Sequence, residues 1–336
     1  MMLKLIKDSS GIVLILVIAV VALFTVMVVE FSTDQGIDIE LAYNFRDSLQ
    51  AQYVSRAGVE AALVLLAQDD PTYDAYDEDW ANFSEYAMTA SAFLEGPNFS
   101  GTLVDECSKL DLNSLVSEDG QADEFRRSQF VRLFGELEID ISADDLNDLL
   151  DALIDWIDPD DETDFGAETE YYEALENPYV CKNGPLDVAE EIFLVKGMAP
   201  EYFFGTEEYE GIANYITVGT RGKININTAS EQVLFSIIPE GLNEEDVVQT
   251  ILDFRPVTPE NINTLIDNIG FRVLGSENIS DLEKELLWLQ NNVITLMSTR
   301  FRVDIKGVMP TGAMVNIRAV VERINNAPRI VYYKLY

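Results

Sequence analysis

The chain has 336 residues, and 60 acidic against 22 basic side chains give it a formal net charge of −38. This charge would repel nucleic-acid phosphates and attract divalent cations. Histidine is absent and cysteine occurs twice, which excludes a histidine-dependent catalytic triad and a zinc site with the usual ligands.

The N-terminal thirty residues consist of a short charged leader and an apolar run. The leader ends at Gly11, and the run extends from Ile12 to Val29 with Thr25 as its one polar residue. A helix of about eighteen residues spans roughly 27 Å, close to the thickness of the hydrocarbon core of a bilayer. The sequence therefore predicts a transmembrane helix over 12–30.

The small residues of this leader, 9–11, stand before the apolar run, whereas a secretory signal carries them after it. That order is typical of a type IV prepilin leader, which a dedicated peptidase cuts after the glycine while the helix stays attached. An uncleaved anchor is the alternative. In both cases Lys4 and Lys7 keep the N-terminus inside, so residues 30–336 are expected outside the membrane.

The apolar residues that follow recur at helical spacing. They are Leu41, Phe45, Leu49, Tyr53, Ala57, Ala61, Val64 and Leu65. Since no proline occurs between Gly11 and Pro71, the anchor and this stripe predict a single helix of about fifty-five residues. Gly36 and Gly58 are positions where it could bend, and Asp69-Asp70-Pro71 ends it.

The rest of the chain predicts a strand, a helical middle and a β-rich end. The strand covers 99–112. The predicted helices cover 124–137, 142–157 and 186–196. Alternating apolar and polar residues, separated by turn formers such as Pro310-Thr311-Gly312 and Asn325-Asn326, predict three antiparallel strands over 299–309, 313–324 and 329–336.

Two segments of the chain resemble each other. Residues 108–115 read Ser-Lys-Leu-Asp-Leu-Asn-Ser-Leu and residues 222–229 read Gly-Lys-Ile-Asn-Ile-Asn-Thr-Ala, and each is followed by a Leu-Phe pair and an acidic helical pattern. The sequence therefore predicts two copies of one helical unit, although a match this short could be coincidence.

The second copy also resembles the opening of helix-hairpin-helix domains, which bind DNA through a glycine-containing hairpin. The hairpin would fall at 238–245, where four acids would face the phosphates. A protein-binding or structural role for this unit is therefore favoured. A helix N-cap by Asn227-Thr228 with the reciprocal acid Glu231 explains those residues without any ligand.

An acidic segment follows the helical pattern at 142–157. Carboxylates alternate through Asp155-Trp156-Ile157-Asp158-Pro159-Asp160-Asp161-Glu162-Thr163-Asp164, a spacing that lets several oxygens meet a hard cation. A solvated acidic turn is the alternative. Paired carboxylates could also perform acid–base chemistry, but no other pocket signature accompanies them.

The two cysteines, Cys107 and Cys181, belong to the part of the chain expected outside the membrane. In an oxidising compartment they are predicted to form one disulfide, provided that the fold brings them together. Two unpaired buried thiols are the alternative.

These features together resemble the type II secretion minor pseudopilin K family, also called general secretion pathway protein K. The resemblance covers almost the whole chain. Besides the leader, the motifs that carry it are Asn44-Phe45-Arg46-Asp47-Ser48-Leu49-Gln50-Ala51, Arg56-Ala57-Gly58-Val59-Glu60, Asp155-Trp156-Ile157-Asp158, Asn183-Gly184-Pro185-Leu186-Asp187 and Ile226-Asn227-Thr228-Ala229.

The resemblance implies an α+β fold. A pilin-like N-terminal helix would pack on a C-terminal antiparallel sheet, and a large α-helical domain with helix-hairpin-helix or SAM-like units would be inserted after the first strand. The expected parts are the leader 1–11, the membrane helix 12–30, the periplasmic helix and first strand 31–112, the inserted domain 113–221, the second helical unit 222–298 and the last strands 299–336.

The resemblance also implies a role. The protein would be anchored in the bacterial inner membrane with its bulk in the periplasm, be cut by a prepilin peptidase between Gly11 and Ile12, and be methylated. It would join the minor pseudopilins I and J at the tip of the pseudopilus and help to start assembly for protein export, without enzymatic activity. Family members can bind calcium, and oxygen chemistry and proximity select Asp158, Asp160, Glu162 and Glu168 as candidate ligands.

One residue departs from ordinary pilins. Position five after the expected cleavage is Leu16, where most pilins carry Glu. In pilins that carboxylate is thought to pair with the N-terminal amine of the subunit ahead, and it is costly in a bilayer when unpaired. A tip subunit has no neighbour ahead, so Leu16 fits the tip; simple drift at this position is the alternative.

Two other functions remain open, a type IV pilus or DNA-uptake minor pilin and a membrane-anchored periplasmic hydrolase.

Overall fold

The computed structural model of the chain describes residues 9–336 except 71, 94–95, 164, 239–242, 275–291 and 325–326. Some sequence predictions fall outside these described residues. They are Lys4 and Lys7 of the leader, Pro71 at the helix end, Asp164 of the acidic segment, positions 239–242 of the hairpin and the turn residues Asn325-Asn326.

One helix, α1, extends from Ser9 to Gln68 and is 60 residues long. This confirms the prediction that the anchor and the following stripe form a single helix. Neither Gly36 nor Gly58 interrupts it. A Cβ atom on Gly58 would lie 2.9 Å from side-chain atoms of Ile305 and Phe99, so this glycine lets the helix backbone approach the sheet closely.

The face of α1 that packs on the sheet is built mainly from small side chains. Its buried residues include Asp47, Ala51, Ser55, Gly58, Val59, Ala62 and Leu66. Ser55 donates its hydroxyl to the carbonyl of Val315 at 2.9 Å. The predicted stripe reaches the core between helix and sheet only at its end, where Ala61 and Leu65 are partly buried, because small residues are needed where the backbone comes this close. Leu41, Phe45 and Tyr53 of that stripe are 60%, 68% and 68% exposed.

A four-stranded antiparallel sheet packs against α1 in the strand order β1-β6-β7-β8. Its strands are β1 Asn98–Asp105, β6 Arg300–Val308, β7 Met314–Ile324 and β8 Ala327–Leu335. The three predicted C-terminal strands are confirmed. A short helix, α2 (Phe83–Ser91), packs on β1, and the core between helix and sheet includes Trp80, Phe301 and Val303.

The first strand is shorter than the predicted 99–112. It ends at Asp105, whose carboxylate accepts the N–H of Cys107 at 2.7 Å and starts the 3₁₀ turn Glu106–Ser108. The chain then leaves the sheet and returns to it at β6. All of the helical units are inserted between these two strands.

The first helical unit contains two of the three predicted helices and a second, larger core. Its helices are α3 Glu124–Glu136, α4 Ala143–Ile157, α5 Thr169–Glu173 and α6 Pro200–Phe204. The predicted helix at 186–196 is instead a 3₁₀ helix, Ala189–Leu194, in a segment limited by Pro185 and Gly197. The core includes Leu133, Leu149, Trp156 and Tyr172.

The second helical unit packs on the first. It contains α7 Glu231–Ile237, α8 Glu244–Phe254 and α9 Ile262–Leu274, and α7 contacts α3. Two short parallel strand pairs join the units to the chain around them: β2 Leu110–Asp111 with β3 Ile216–Thr217, and β4 Ile224–Asn225 with β5 Ile294–Thr295.

The two segments that resemble each other in sequence also share a set of hydrogen bonds, whereas two copies of a whole helical unit stay a prediction. The Asn113 side-chain amide donates a hydrogen bond to the carbonyl of Leu186 at 3.0 Å and accepts one from the N–H of Leu186 at 2.7 Å. Asn227, at the equivalent position, exchanges two with Val257, at 2.8 and 2.7 Å. In each copy the backbone N–H of this asparagine also donates to the side chain two residues earlier, which is Asp111 in the first copy and Asn225 in the second. The two similar segments therefore fix a later segment in the same way.

The predicted N-cap by Asn227-Thr228 is wrong. The cap of α7 is Ser230, whose hydroxyl accepts the N–H of Val233 at 3.3 Å. Asn227 is occupied with Val257, and the Thr228 hydroxyl donates to Asp105 at 2.5 Å. Both side chains therefore serve long-range contacts.

A buried polar junction connects the sheet to the helical units at the C-terminal end of α1. Arg323 on β7 donates to Asp69 at 2.9 Å and to Asp74 at 2.6 Å, and the Ser298 N–H donates to Asp74 at 2.6 Å. The Ser298 hydroxyl then donates to Asp105 at 2.5 Å. Asp74 is fully buried and Asp105 is 1% exposed, so these hydrogen bonds replace water around both carboxylates. The domain limits given above stay predictions.

Candidate metal centre and exposed helix surface

Three carboxylates meet where α4 ends and α5 begins. Asp155 lies in the last turn of α4, Asp158 is its C-cap, and Glu168 is the N-cap of α5. One oxygen from each lies within 4.8 Å of the others. The arrangement therefore concentrates negative charge at one point.

The loop between the two helices returns tightly against α4. The N–H of Gly166 donates to Asp155 at 3.1 Å. A Cβ atom on Gly166 would lie 2.5 Å from backbone atoms of Ala152, so only glycine fits here. This close contact brings Glu168, two residues later, over the end of α4.

Glu168 is the least satisfied member of the group. It is 2% exposed, it makes no capping hydrogen bond to α5, and among the described residues only the thiol of Cys181 and the carboxyl group of Asp161 come within hydrogen-bond reach of its oxygens. Burial raises the pKa of Glu168 to about 7, and the nearby carboxylates of Asp155 and Asp158 add to that rise. The thiol of Cys181, a weak donor, offsets part of it.

Two of the four predicted ligands belong to this group and two do not. The structure brings Asp158 and Glu168 together. Asp160 and Glu162 are exposed, and the Asp160 carboxylate accepts the N–H of Glu162 at 2.9 Å. The structure therefore does not bring Asp160 and Glu162 into this cluster, because both side chains belong to a solvent-facing turn.

Sequence reasoning missed Asp155 and Asn183. Asp155 precedes Asp158 by three residues, and this helical spacing at the end of α4 was the available signal. Asn183 comes from a distant loop, donates to the carbonyl of Asp160 and to the carboxylate of Asp161, and keeps its Oδ1 buried without a hydrogen-bond partner among the described residues. No local pattern would have placed that amide oxygen beside the acidic loop.

This set of oxygens suits a hard divalent cation. Calcium takes six to eight oxygen ligands from carboxylates, amides and water. Burial raises the pKa of the Cys181 thiol to about 12, so the sulfur is protonated in the metal-free protein and the other ligands offered here are oxygens. The residues present therefore fit calcium better than a soft metal.

The predicted disulfide is wrong, because its two cysteines lie in different parts of the fold. Both are buried free thiols. Cys107 lies beside β6, where its sulfur is 3.8 Å from the Thr299 hydroxyl, and the Cys181 sulfur lies 3.7 Å from the carbonyl of Asp155.

A second acidic group does not favour a cation. Asp69, Asp74 and Glu78 also approach within 4.8 Å of one another. The guanidinium of Arg323, however, already binds Asp69 and Asp74. The positive charge that this group needs is supplied by the protein.

The N-terminal part of α1 is not covered by any described residue outside the helix. Every side chain from Gly11 to Arg46 is exposed, including Ile12 at 69% and Leu16 at 62%. The helix is long and apolar enough to cross a membrane. Above the apolar run, the exposed Leu41, Phe45 and Tyr53 continue as an apolar surface, which indicates contact with another protein.

Comparisons with known proteins agree on one family. Residues 108–217 match the family model of type II secretion system protein K. Type II secretion system protein K of Aeromonas hydrophila is 24% identical over 265 residues, which cover 74% of this chain and 77% of that protein. The crystal structure of the GspK–GspI–GspJ complex from the type 2 secretion system of enterotoxigenic Escherichia coli contains a similar chain, with a TM-score of 0.65 and 18% identity over 88% of this chain and 99% of that one.

Proposed function

We propose, from its similarity to protein K of type II secretion systems, that this chain belongs to that family and is a minor pseudopilin at the tip of the pseudopilus. There it would help to start assembly and aid protein export across the outer membrane. Its expected partners are the I and J pseudopilins of the same system, since the similar solved chain comes from a complex of GspK with GspI and GspJ. We expect it to act without catalysis.

The observation that carries this proposal is the apolar surface of α1. A protein that acted alone would not be expected to keep Leu41, Phe45 and Tyr53 exposed on a helix outside the membrane. Side-by-side packing of such helices would bury them, as in other helix bundles. The helical insertion supports the tip position, because it is joined to the chain at the end of α1 that lies away from the apolar run, where Asn225 donates to Asp74, Asp105 and Ser298.

Changing this surface is expected to weaken assembly. Replacing Phe45 with Asp places a charge in the apolar surface, so co-purification with the I and J proteins should fall at least tenfold while the melting temperature is unchanged. The matched control is Tyr43→Asp. Tyr43 is 55% exposed and two residues away, and therefore lies on the opposite side of the helix. Equal losses for both variants would contradict a specific role for the Phe45 side.

Processing provides a separate expectation. If the leader is a prepilin leader, the mature protein begins at Ile12 and is anchored in the inner membrane with its bulk in the periplasm. Intact-mass measurement of the purified full chain should give the mass of residues 12–336, with or without one methyl group. A mature N-terminus at another position would contradict the pseudopilin assignment, whereas Gly11→Val should block the cleavage.

We also propose that the group formed by Asp155, Asp158 and Glu168 binds calcium. The support is the buried Glu168 carboxylate, whose hydrogen-bond partners among the described residues are only a thiol and another carboxyl group, and which lies among further oxygen donors. A bound cation would neutralise the three carboxylates and hold the ends of α4 and α5 together. It would thus stabilise the inserted domain rather than take part in a reaction.

A further inference from the structure

The last strand of the sheet has a free edge. β8 pairs with β7 on one side, and no described strand pairs with its other side. Tyr336 and Asn316 exchange both backbone hydrogen bonds at 3.0 Å. Because such pairs alternate along antiparallel strands, the backbone N–H and C=O groups of Tyr333 and Leu335 point outward, away from β7.

This edge is protected only at its beginning. Pro328 stands near the start of β8, and a bulge opposite Val320 and Val321 bends that part of the strand. Natural sheets use proline and bulges of this kind to prevent unwanted pairing. After the bulge the strand is regular, and Tyr333 and Leu335 are 41% and 44% exposed on the side of the sheet that faces α1. The open edge therefore combines free backbone groups with apolar side chains.

The opposite face of the same strand borders a basic cleft. The cleft measures about 630 Å³ and separates the sheet from Phe203 and Phe204 of the helical domain. Its lining combines the basic residues Arg300, Arg302, Arg318 and Lys334 with the acidic residues Glu106, Asp187 and Glu190. Four basic side chains thus gather at one place in a chain with only 22 basic residues and a net charge of −38.

Part of this positive charge is not neutralised by the protein itself. Arg302 and Arg318 share the carboxylate of Asp304, at 2.9 and 2.7 Å, and each has a further acidic partner, Glu106 at 3.1 Å for Arg302 and Glu190 at 3.9 Å for Arg318. Arg300 contacts the carbonyl of Gly219 at 3.5 Å. Neither Arg300 nor Lys334 forms an ion pair with any residue in the described part of the chain. Arg300 and Lys334 could therefore form ion pairs with the carboxylates of a bound partner.

We propose that the edge of β8 binds an extended segment of another protein, in which acidic and apolar side chains alternate. The segment would add a fifth strand to the sheet through the backbone groups of Tyr333 and Leu335. Its acidic side chains would project toward Lys334 and the cleft, and its apolar side chains would cover the exposed side chains on the α1 side. Alternation along a strand matches these two different faces.

Charge argues against a second copy of this chain as the occupant. Pairing β8 with itself would bring Lys334 near the Lys334 of the second copy, with Arg318 behind each of them. Like charges across a strand pair are destabilising. The surface also differs from the apolar surface of α1 that carries the proposed tip function. The test below therefore uses no pseudopilin and can fail independently of that function.

The test is peptide binding to the full-length protein in detergent micelles. The probe is a fluorescein-labelled ten-residue peptide of alternating Glu and Val, measured by fluorescence anisotropy. We expect saturable binding that weakens with salt. A peptide of the same composition with the five Glu residues grouped should bind at least tenfold more weakly, because it cannot present one kind of side chain to each face.

Two variants examine the two parts of the surface. Leu335→Pro removes an outward N–H, and Lys334→Glu reverses an exposed charge, so each should weaken binding of the alternating peptide at least tenfold. The control Lys306→Glu makes the same charge change on an exposed position of β6 and should leave binding unchanged. If Leu335→Pro fails to fold, Lys334→Glu alone decides. Equal binding of both peptides, unchanged binding by Lys334→Glu, or concentration-dependent dimerisation of the free protein in sedimentation would overturn the proposal.

Discussion

Replacing Arg323 with Met should destabilise the full-length protein by about 3–5 kcal/mol, the range for breaking a buried ion pair from one side. Arg323 is 4% exposed by its side chain, and it binds Asp74, whose side chain is fully buried. Methionine keeps much of the volume but leaves the Asp74 carboxylate without its counter-charge. Urea denaturation followed by tryptophan fluorescence is a suitable measurement, because Trp80 packs in the same core, 5.3 Å from the ring of Phe301.

The pH dependence of this loss has a defined sign. Burial raises the pKa of Asp74, and Arg323 is the main group that lowers it. Without Arg323 the pKa of Asp74 in the folded state rises further. Asp74 therefore stays protonated in the variant at pH values where it is ionised and paired with Arg323 in the parent protein. The deficit should therefore be largest at pH 8 and should shrink at pH 5, where Asp74 is protonated in both proteins.

Two controls separate the buried pair from a general loss of charge. Arg329→Met removes an exposed pair with Glu322, and it should cost less than about 1 kcal/mol. Adding Asp74→Asn to Arg323→Met should recover part of the stability, because it removes the unpaired charge. A loss for Arg323→Met no larger than that for Arg329→Met would show that the junction does not hold the sheet to the helical units.

Replacing Glu168 with Gln is expected to abolish stabilisation by calcium without destabilising the metal-free protein. Calcium at a thousand times its dissociation constant should stabilise the parent protein by about 4 kcal/mol, which corresponds to a rise in melting temperature on the order of 10 °C. The glutamine amide carries no charge to desolvate, so the variant without calcium should melt at least as high as the parent protein at pH 8. The measurement is a melting curve in chelator and in calcium.

The same residue gives calcium binding a pH dependence. The pKa of Glu168 is raised above its ordinary value, to about 7. Its contribution to the stability of the metal-free protein is therefore complete below about pH 4.5 and is lost as the pH rises through 7. Calcium competes with this proton. The calcium-dependent rise in melting temperature should increase from pH 5 to pH 8 in the parent protein and be absent in Glu168→Gln.

The exposed Glu162 supplies a matched control for this prediction. It lies in the same acidic loop but outside the group of three carboxylates. Glu162→Gln makes the same chemical change and should keep the full calcium response. An equal response to calcium in the parent protein and in Glu168→Gln would remove Glu168 as a ligand, and an unchanged melting temperature of the parent protein across a chelator series would remove the calcium proposal.

Most of the fold could be predicted because its signals are local or repeated. The uninterrupted helix α1 follows from apolar residues without proline, and the C-terminal strands follow from alternation. The repeat was visible because Asn113 and Asn227 occupy equivalent positions, although their long-range partners Leu186 and Val257 were not visible. The family resemblance added the insertion between β1 and β6, which no local pattern specifies.

The candidate site was only half predictable, because proximity in the acidic loop does not decide which carboxylates converge. Asp160 was selected for its position in the run, but its oxygen closes a local turn. Asp155 converges because it belongs to the last turn of α4. The cysteines were paired on chemical grounds alone, whereas the insertion places one beside β6 and the other at the end of α4. Such outcomes depend on tertiary contacts between distant segments.

The unbroken course of α1 has a mechanical consequence. From Glu30 to Gln68 the helix advances by 38 residues, and at about 1.5 Å each they form a rod of roughly 57 Å. The far end of this rod is fixed to the sheet and the helical units through Asp69 and its partner Arg323. Any axial displacement of the membrane end is therefore transmitted to the inserted domain at constant length, and the distance between that domain and the bilayer is set by a count of residues.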